Sequence, residues 1–204
     1  MNAERGEHML WTITGGIGSG KSVFAEELAR TVGHEGIRLS CSPFPGNENR
    51  TDSLACSSRN DASFLWAESD ADDMLANKLN SINLESNIFR ADRRVLLLDS
   101  LSGWLRGLYY RIDDRQPEAE DRIEAAWEQA LKAIFSFEGK LIVVTEEAFG
   151  GLSVSARELS YARRLSKANR RLTEESKVFY RMTSGMATEV KGYRINQAKG
   201  VPNE

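Results

Sequence analysis

The chain has 204 residues, which suits one domain with a well-filled core rather than two. Hydrophobic residues make up 41% and charged residues 28%, a balance that excludes disordered, collagen-like and disulfide-scaffold classes. Lys and Arg number 27 against 30 Asp and Glu, so the formal charge of −3 gives no global reason to expect nucleic acid as a partner.

Met1 to His8 is polar and acidic where a secretory signal would be basic and then apolar. No apolar run approaches the ~20 residues of a membrane span. A cytoplasmic protein is the expectation. Cys41 and Cys56 lie far apart, lack C-x-x-C spacing and have only two histidines to help them. A structural zinc site needs four ligands and is set aside, leaving two reduced thiols of the kind the cytoplasm keeps.

In chain order, Met9 to Thr14 reads as a short buried strand, rich in β-branched and aromatic residues. Glycines follow, and then a helix from Ser22 to Arg30 with Phe24, Ala25 and Leu28 on one side. Ile37 to Ser40 predicts a second strand. Cys41 to Asn60, with Pro43, Pro45, Gly46, Asn47 and Asn49, predicts a long loop. Asp70 to Ile82 predicts a helix with Met74, Leu75, Leu79 and Ile82 as its apolar stripe.

Arg94 to Asp99 is the clearest buried strand, with Val95 to Leu98 in succession, and Leu101 to Tyr110 continues as an apolar helix. From Pro117 a longer helix shows Ala119, Ile123, Ala126, Trp127, Ala130 and Ile134, the pattern of a helix lying on a sheet. Pro117 and the acids Glu118, Glu120 and Asp121 suit its N-terminus. Leu141 to Thr145 is another buried strand. Ala156 to Leu172 is a helix with Tyr161, Leu165, Ala168 and Leu172 on one face. Val178 to Met182 and Ala187 to Tyr193 read as two closing strands, and Gln197 to Glu204 as a frayed tail. Strands alternating with helices, several apolar on both faces, predict an α/β fold with a parallel sheet covered on both sides. With no internal repeat or linker in view, residues 1–204 are expected to form a single domain.

The chemistry is concentrated in Gly15-Gly16-Ile17-Gly18-Ser19-Gly20-Lys21-Ser22, which fits G-x-x-x-x-G-K-[ST] between a strand and a helix. Glycines let the backbone curl so that successive N–H groups point at a phosphate, and the helix N-terminus adds its positive dipole end. Lys21 is expected to reach the β- and γ-phosphates and the Ser22 hydroxyl to ligate Mg²⁺. A nucleoside triphosphate, GTP or ATP, is the expected ligand. Asp99 ends a central strand at the crevice where parallel sheets bind ligands, so it is a second candidate for Mg²⁺. It also suits the cap of the helix starting at Leu101, and the two roles are compatible. Glu147 ends the Leu141 strand in the same crevice, either positioning a substrate hydroxyl or a metal-bound water, or standing as an ordinary solvated carboxylate. Arg157, Arg163, Arg164, Lys167, Arg170 and Arg171 form a basic helix face, read as a solvated surface balanced by nearby glutamates rather than as a phosphate clamp or nucleic-acid surface.

The sequence resembles the bifunctional adenosylcobinamide kinase/adenosylcobinamide-phosphate guanylyltransferases of cobalamin biosynthesis. The likeness rests on T-G-G-I-G-S-G-K-S-V-F-A-E-E-L-A (Thr14 to Ala29), L-L-L-D-S-L-S-G-W-L (Leu96 to Leu105), V-V-T-E-E-A-F-G-G (Val143 to Gly151) and A-N-R-R-L (Ala168 to Leu172). It implies a P-loop NTPase-like fold, Mg²⁺, adenosylcobinamide as phosphoryl acceptor, and homo-oligomers, commonly trimers. Three departures stand out. Gly18 replaces the usual loop arginine, and Glu146 replaces the asparagine of V-T-N-E. No histidine lies between Ser40 and Glu68, where the family carries the one that becomes guanylylated; His8 and His34 both precede that stretch. A phosphoramidate needs an imidazole nitrogen, so the sequence predicts a kinase-like enzyme without the guanylyl-enzyme half. The alternatives are a nucleotide-binding paralogue that acts as partner or regulator, and a small kinase for another acceptor.

Overall fold

Alternation of apolar side chains along the strands sorts the core into two clusters, one on each face of a sheet. The computed structural model describes residues 8–41, 64–71, 73–85, 93–147 and 155–192. In chain order these form β1 (Met9–Gly15), α1 (Lys21–Val32), β2 (Glu35–Ser40), β3 (Leu65–Asp70), α2 (Leu75–Glu85), β4 (Arg94–Asp99), α3 (Leu101–Arg111), α4 (Ala119–Phe135), β5 (Lys140–Val144), α5 (Ala156–Glu175), β6 (Val178–Thr183) and β7 (Met186–Lys191). The strands make one seven-stranded sheet in the order β3-β2-β4-β5-β1-β6-β7. The first six are parallel, and β7 pairs antiparallel with β6. The fold is α/β, with helices on both faces of a mostly parallel sheet, as the sequence predicts.

Period-two alternation explains how both faces are covered. Leu10, Leu39, Leu96, Leu98, Leu141 and Val143 point to one face, where they meet the apolar stripes of α2, α3, α4 and α5. Trp104 of α3 stacks on Trp127 of α4 with ring centroids 6.2 Å apart. The intervening residues Trp11, Ile13, Val95, Leu97, Ile142 and Val144 point to the other face, against Ala25 and Ala29 of α1.

The structure corrects several boundaries. A strand, β3, occupies Leu65–Asp70, and the helix expected from Asp70 begins at Leu75. β3 is an edge strand with most of its side chains exposed, so its sequence carries no burial pattern. Met74, expected in the apolar stripe of α2, is 52% exposed and precedes the helix. The closing strands form a hairpin through Ser184 and Gly185 rather than extending the parallel set. The predicted loop beyond Cys41, Cys56 and the predicted tail lie outside the described residues. Among the described residues, no helix is long and apolar enough to cross a membrane.

Candidate active site

The glycine-rich segment leaves the carboxyl end of β1 and enters α1, so its turn sits at the edge of the sheet where parallel folds bind ligands. Three glycines are required here by geometry. At Gly15 a β-carbon would lie 2.5 Å from the Met182 carbonyl oxygen, and φ is +72° at Gly18 and +91° at Gly20, in the left-handed region. Gly20 opens α1 without a side-chain cap. The first-turn N–H groups of a helix have no intrahelical partner, so this terminus is suited to an anion. The hairpin turn buttresses the loop, with the Gly185 N–H donating to the Ser19 carbonyl at 3.0 Å.

Lys21 is 8% exposed. Its Nζ donates to the carbonyls of Gly16 at 2.7 Å and Gly15 at 3.2 Å, so the ammonium is held across the loop. Burial pushes its pKa down, opposed by the carboxylates of Glu146, Asp99 and Glu147. The hydroxyls of Thr14 and Ser19, in or beside the loop, are buried and have no partner among the described residues.

The structure brings Ser22 and Asp99 together: Ser22 Oγ donates to Asp99 Oδ1 at 3.1 Å. Asp99 does not cap α3. That place belongs to Ser100, whose Oγ accepts from the Gly103 N–H at 3.1 Å. Asp99 instead carries a second contact, from Arg38 Nη2 to Oδ2 at 2.9 Å. Arg38 comes from β2, and its Nη1 donates to Glu26 Oε1 at 2.7 Å. Ser22 and Glu26 are one helical turn apart on α1, so a single helix face supplies both ends of this four-residue chain of contacts.

Glu147 lies at the end of β5, its backbone N–H 3.4 Å from the Gly15 carbonyl. Its carboxylate pairs with Arg181 at 2.7 Å and touches neither Ser22 nor Asp99 among the contacts described. Glu146 pairs with Arg106 at 3.2 Å. Asn169 on α5 locks this turn: its Nδ2 donates to the Glu146 carbonyl at 2.8 Å, and its Oδ1 accepts the Thr145 hydroxyl at 2.9 Å.

Half of the basic face of α5, Arg157, Arg164 and Arg171, is spent on its neighbours, and Arg163, Lys167 and Arg170 are exposed. Arg164 pairs with Glu120 at 2.7 Å and Glu124 at 2.5 Å on α4, and Arg171 pairs with Glu128 at 3.7 Å. Arg157 donates to the carbonyls of Tyr109 and Ile112. Both histidines precede strands at the opposite, amino edge of the sheet. His8 Nδ1 donates to the Phe137 carbonyl at 2.5 Å, and the backbone N–H of His34 donates to the Arg93 carbonyl at 2.8 Å.

The family model described as cobinamide kinase / cobinamide phosphate guanyltransferase matches residues 11–190 of this chain. The chain belongs to this family. Comparison with curated proteins yields no match. Family membership gives a transferase of cobalamin biosynthesis that handles a nucleotide and a cobinamide. The matched stretch contains the glycine loop, Asp99, the 145–147 turn and Asn169, and the fold draws all of these to one edge of the sheet.

Arg38, Glu26 and Arg181 escape the sequence reading. Arg38 has one signal in the sequence: it is a charge between Ile37 and Leu39 in a segment read as a strand. Such a residue needs a partner. Its partners lie in α1 and β4 and become visible only once the strand order is known.

Proposed function

We propose that this chain is a nucleoside-triphosphate-dependent kinase that phosphorylates adenosylcobinamide and forms no guanylyl-enzyme. The observation that carries the reading is the 3.1 Å hydrogen bond from Ser22 to Asp99 beside the buried Lys21, in a chain of the cobinamide kinase family. The residues fit the groups this reaction needs. Ser22 Oγ and Asp99 Oδ1 are hard oxygen donors of the kind Mg²⁺ takes together with waters and phosphate oxygens. The buried hydroxyls of Thr14 and Ser19, which have no partner among the described residues, and the ammonium of Lys21 suit a polyanion. When bound, Mg²⁺ neutralises charge on the transferred group.

The chain's own residues then divide the work. Backbone N–H groups of Gly15 to Ser22 cradle and orient the triphosphate, with Gly16, Ile17, Gly18 and Ser19 forming the turn. Lys21 places positive charge on the β- and γ-phosphates, while Ser22 and Asp99 hold the cation. Glu147, fixed by Arg181, orients the acceptor hydroxyl for in-line attack on the γ-phosphorus. Phosphoryl transfer asks little more of a protein than positioning and charge. The covalent half is a different matter. No imidazole lies between Ser40 and Glu68, and His8 and His34 precede β1 and β2, a strand length of about 20 Å from the loop. The reading carries with it a cytoplasmic enzyme built as one nucleotide-binding domain.

One observation favours a second reading, a nucleotide-binding protein without transfer: the Glu147 carboxylate is already engaged by Arg181. Incubation with adenosylcobinamide, Mg²⁺ and either GTP or ATP separates the two. The expected product is a corrinoid heavier by one phosphoryl group in its mass spectrum. Tight nucleotide binding with an unchanged corrinoid would favour the second reading.

A further inference from the structure

The contacts of Arg38 pose a problem that the kinase reading leaves open. Asp99 uses Oδ1 to accept from Ser22 and Oδ2 to accept from Arg38. The guanidinium is therefore attached to the carboxylate that would hold a divalent cation. Arg38, Glu26 and Asp99 are all close to buried, with side chains 15%, 11% and 10% exposed. Glu26 also meets Arg30 at 3.7 Å. An arginine stays charged at any working pH, and charges at this burial are only partly screened. Arg38 shares its charge between Glu26 and Asp99, and with Arg30 offsetting Glu26 on its other side the guanidinium cancels much of the negative charge that Asp99 presents to an arriving cation. A triphosphate reverses that balance, because it brings several negative charges to the same loop.

We propose that Arg38 is a positioning residue that couples divalent-cation binding to triphosphate binding: it offsets the charge of Asp99 in the nucleotide-free protein, so the cation binds weakly there and tightly only with the nucleotide. Glu26 anchors Arg38 for this task from the same face of α1 that presents Ser22. The proposal rests on Asp99 being a cation ligand, as in the reading above.

The test is nucleotide-free Mn²⁺ binding, followed by the electron paramagnetic resonance of the free ion. Wild type is expected to bind weakly, and Arg38→Met at least about tenfold more tightly, because like charge within a few ångströms of the ion is removed. Arg38→Lys keeps the charge and is expected to match wild type. Equal affinity in wild type and Arg38→Met would overturn the proposal. So would a gain in Arg38→Lys, which also keeps the test alive if Arg38→Met does not fold.

A parallel titration of wild type and Asp99→Asn with Mn²⁺ and a non-hydrolysable GTP analogue separates the two claims. If Asp99→Asn leaves that affinity unchanged, the Asp99 assignment fails and the Arg38 proposal with it. If Asp99→Asn weakens it and Arg38→Met shows no gain, the Arg38 proposal fails alone.

Discussion

The side-chain amide of Asn169 grips the turn at the end of β5 from both sides, donating to the Glu146 carbonyl at 2.8 Å and accepting the Thr145 hydroxyl at 2.9 Å. Two segments that resemble the family separately, Val143 to Gly151 and Ala168 to Leu172, meet through this one residue. Asn169→Ala would leave the fully buried Thr145 side chain without its acceptor. Unmade buried hydrogen bonds cost about 1–3 kcal/mol each, so the urea midpoint should fall clearly. An unchanged midpoint would show that the turn holds itself.

Lys21→Ala removes the one charge that the loop holds across its own carbonyls. Nucleotide affinity should fall at least tenfold, about 1.4 kcal/mol, and turnover should vanish. Binding of a GTP analogue within about twofold of wild type, by calorimetry, would contradict the phosphate-loop assignment.

Asp99→Asn keeps the shape of the side chain and loses its charge. Because Ser100 supplies the cap of α3, the helix should survive the change. Catalysis should demand more Mg²⁺ while nucleotide affinity without metal changes little. Identical Mg²⁺ dependence in the two proteins would remove Asp99 from the metal site.

How much of this was legible in the sequence depends on what fixed each element. β1, β4 and β5 are buried on both faces, so their apolar runs announce them. β3 is held by backbone pairing with β2 at an exposed edge, and nothing in Leu65 to Asp70 alternates. The antiparallel direction of β7 has a local signal in its turn. Ser184-Gly185 takes φ of +50° and +83°, the backbone of a two-residue hairpin turn. At the site, Gly15 to Ser22 and Asp99 follow from local spacing. Arg38 does not, because its partners lie 12 and 61 residues away and are set by topology alone.

The pH dependence of binding follows from Lys21. Burial lowers its pKa in the nucleotide-free protein, while a bound triphosphate favours the ammonium. Affinity is therefore full below that lowered pKa and falls as pH rises through it, starting below the ordinary lysine value of about 10.4. Lys21→Arg stays charged and should lose this alkaline limb. Affinities for a GTP analogue across the alkaline range check it, and the same limb in both proteins would contradict it.

Phosphoryl transfer without a guanylyl-enzyme is decided by the fate of two labels. The protein is incubated with Mg²⁺ and adenosylcobinamide and with GTP labelled at either the γ- or the α-phosphate. The γ-label is expected to move to the corrinoid and no α-label to stay on the protein, since both histidines lie at the opposite edge of the sheet from the loop. Retention of α-label on the protein, lost in His34→Ala, would contradict the account and restore the covalent half of the family's chemistry.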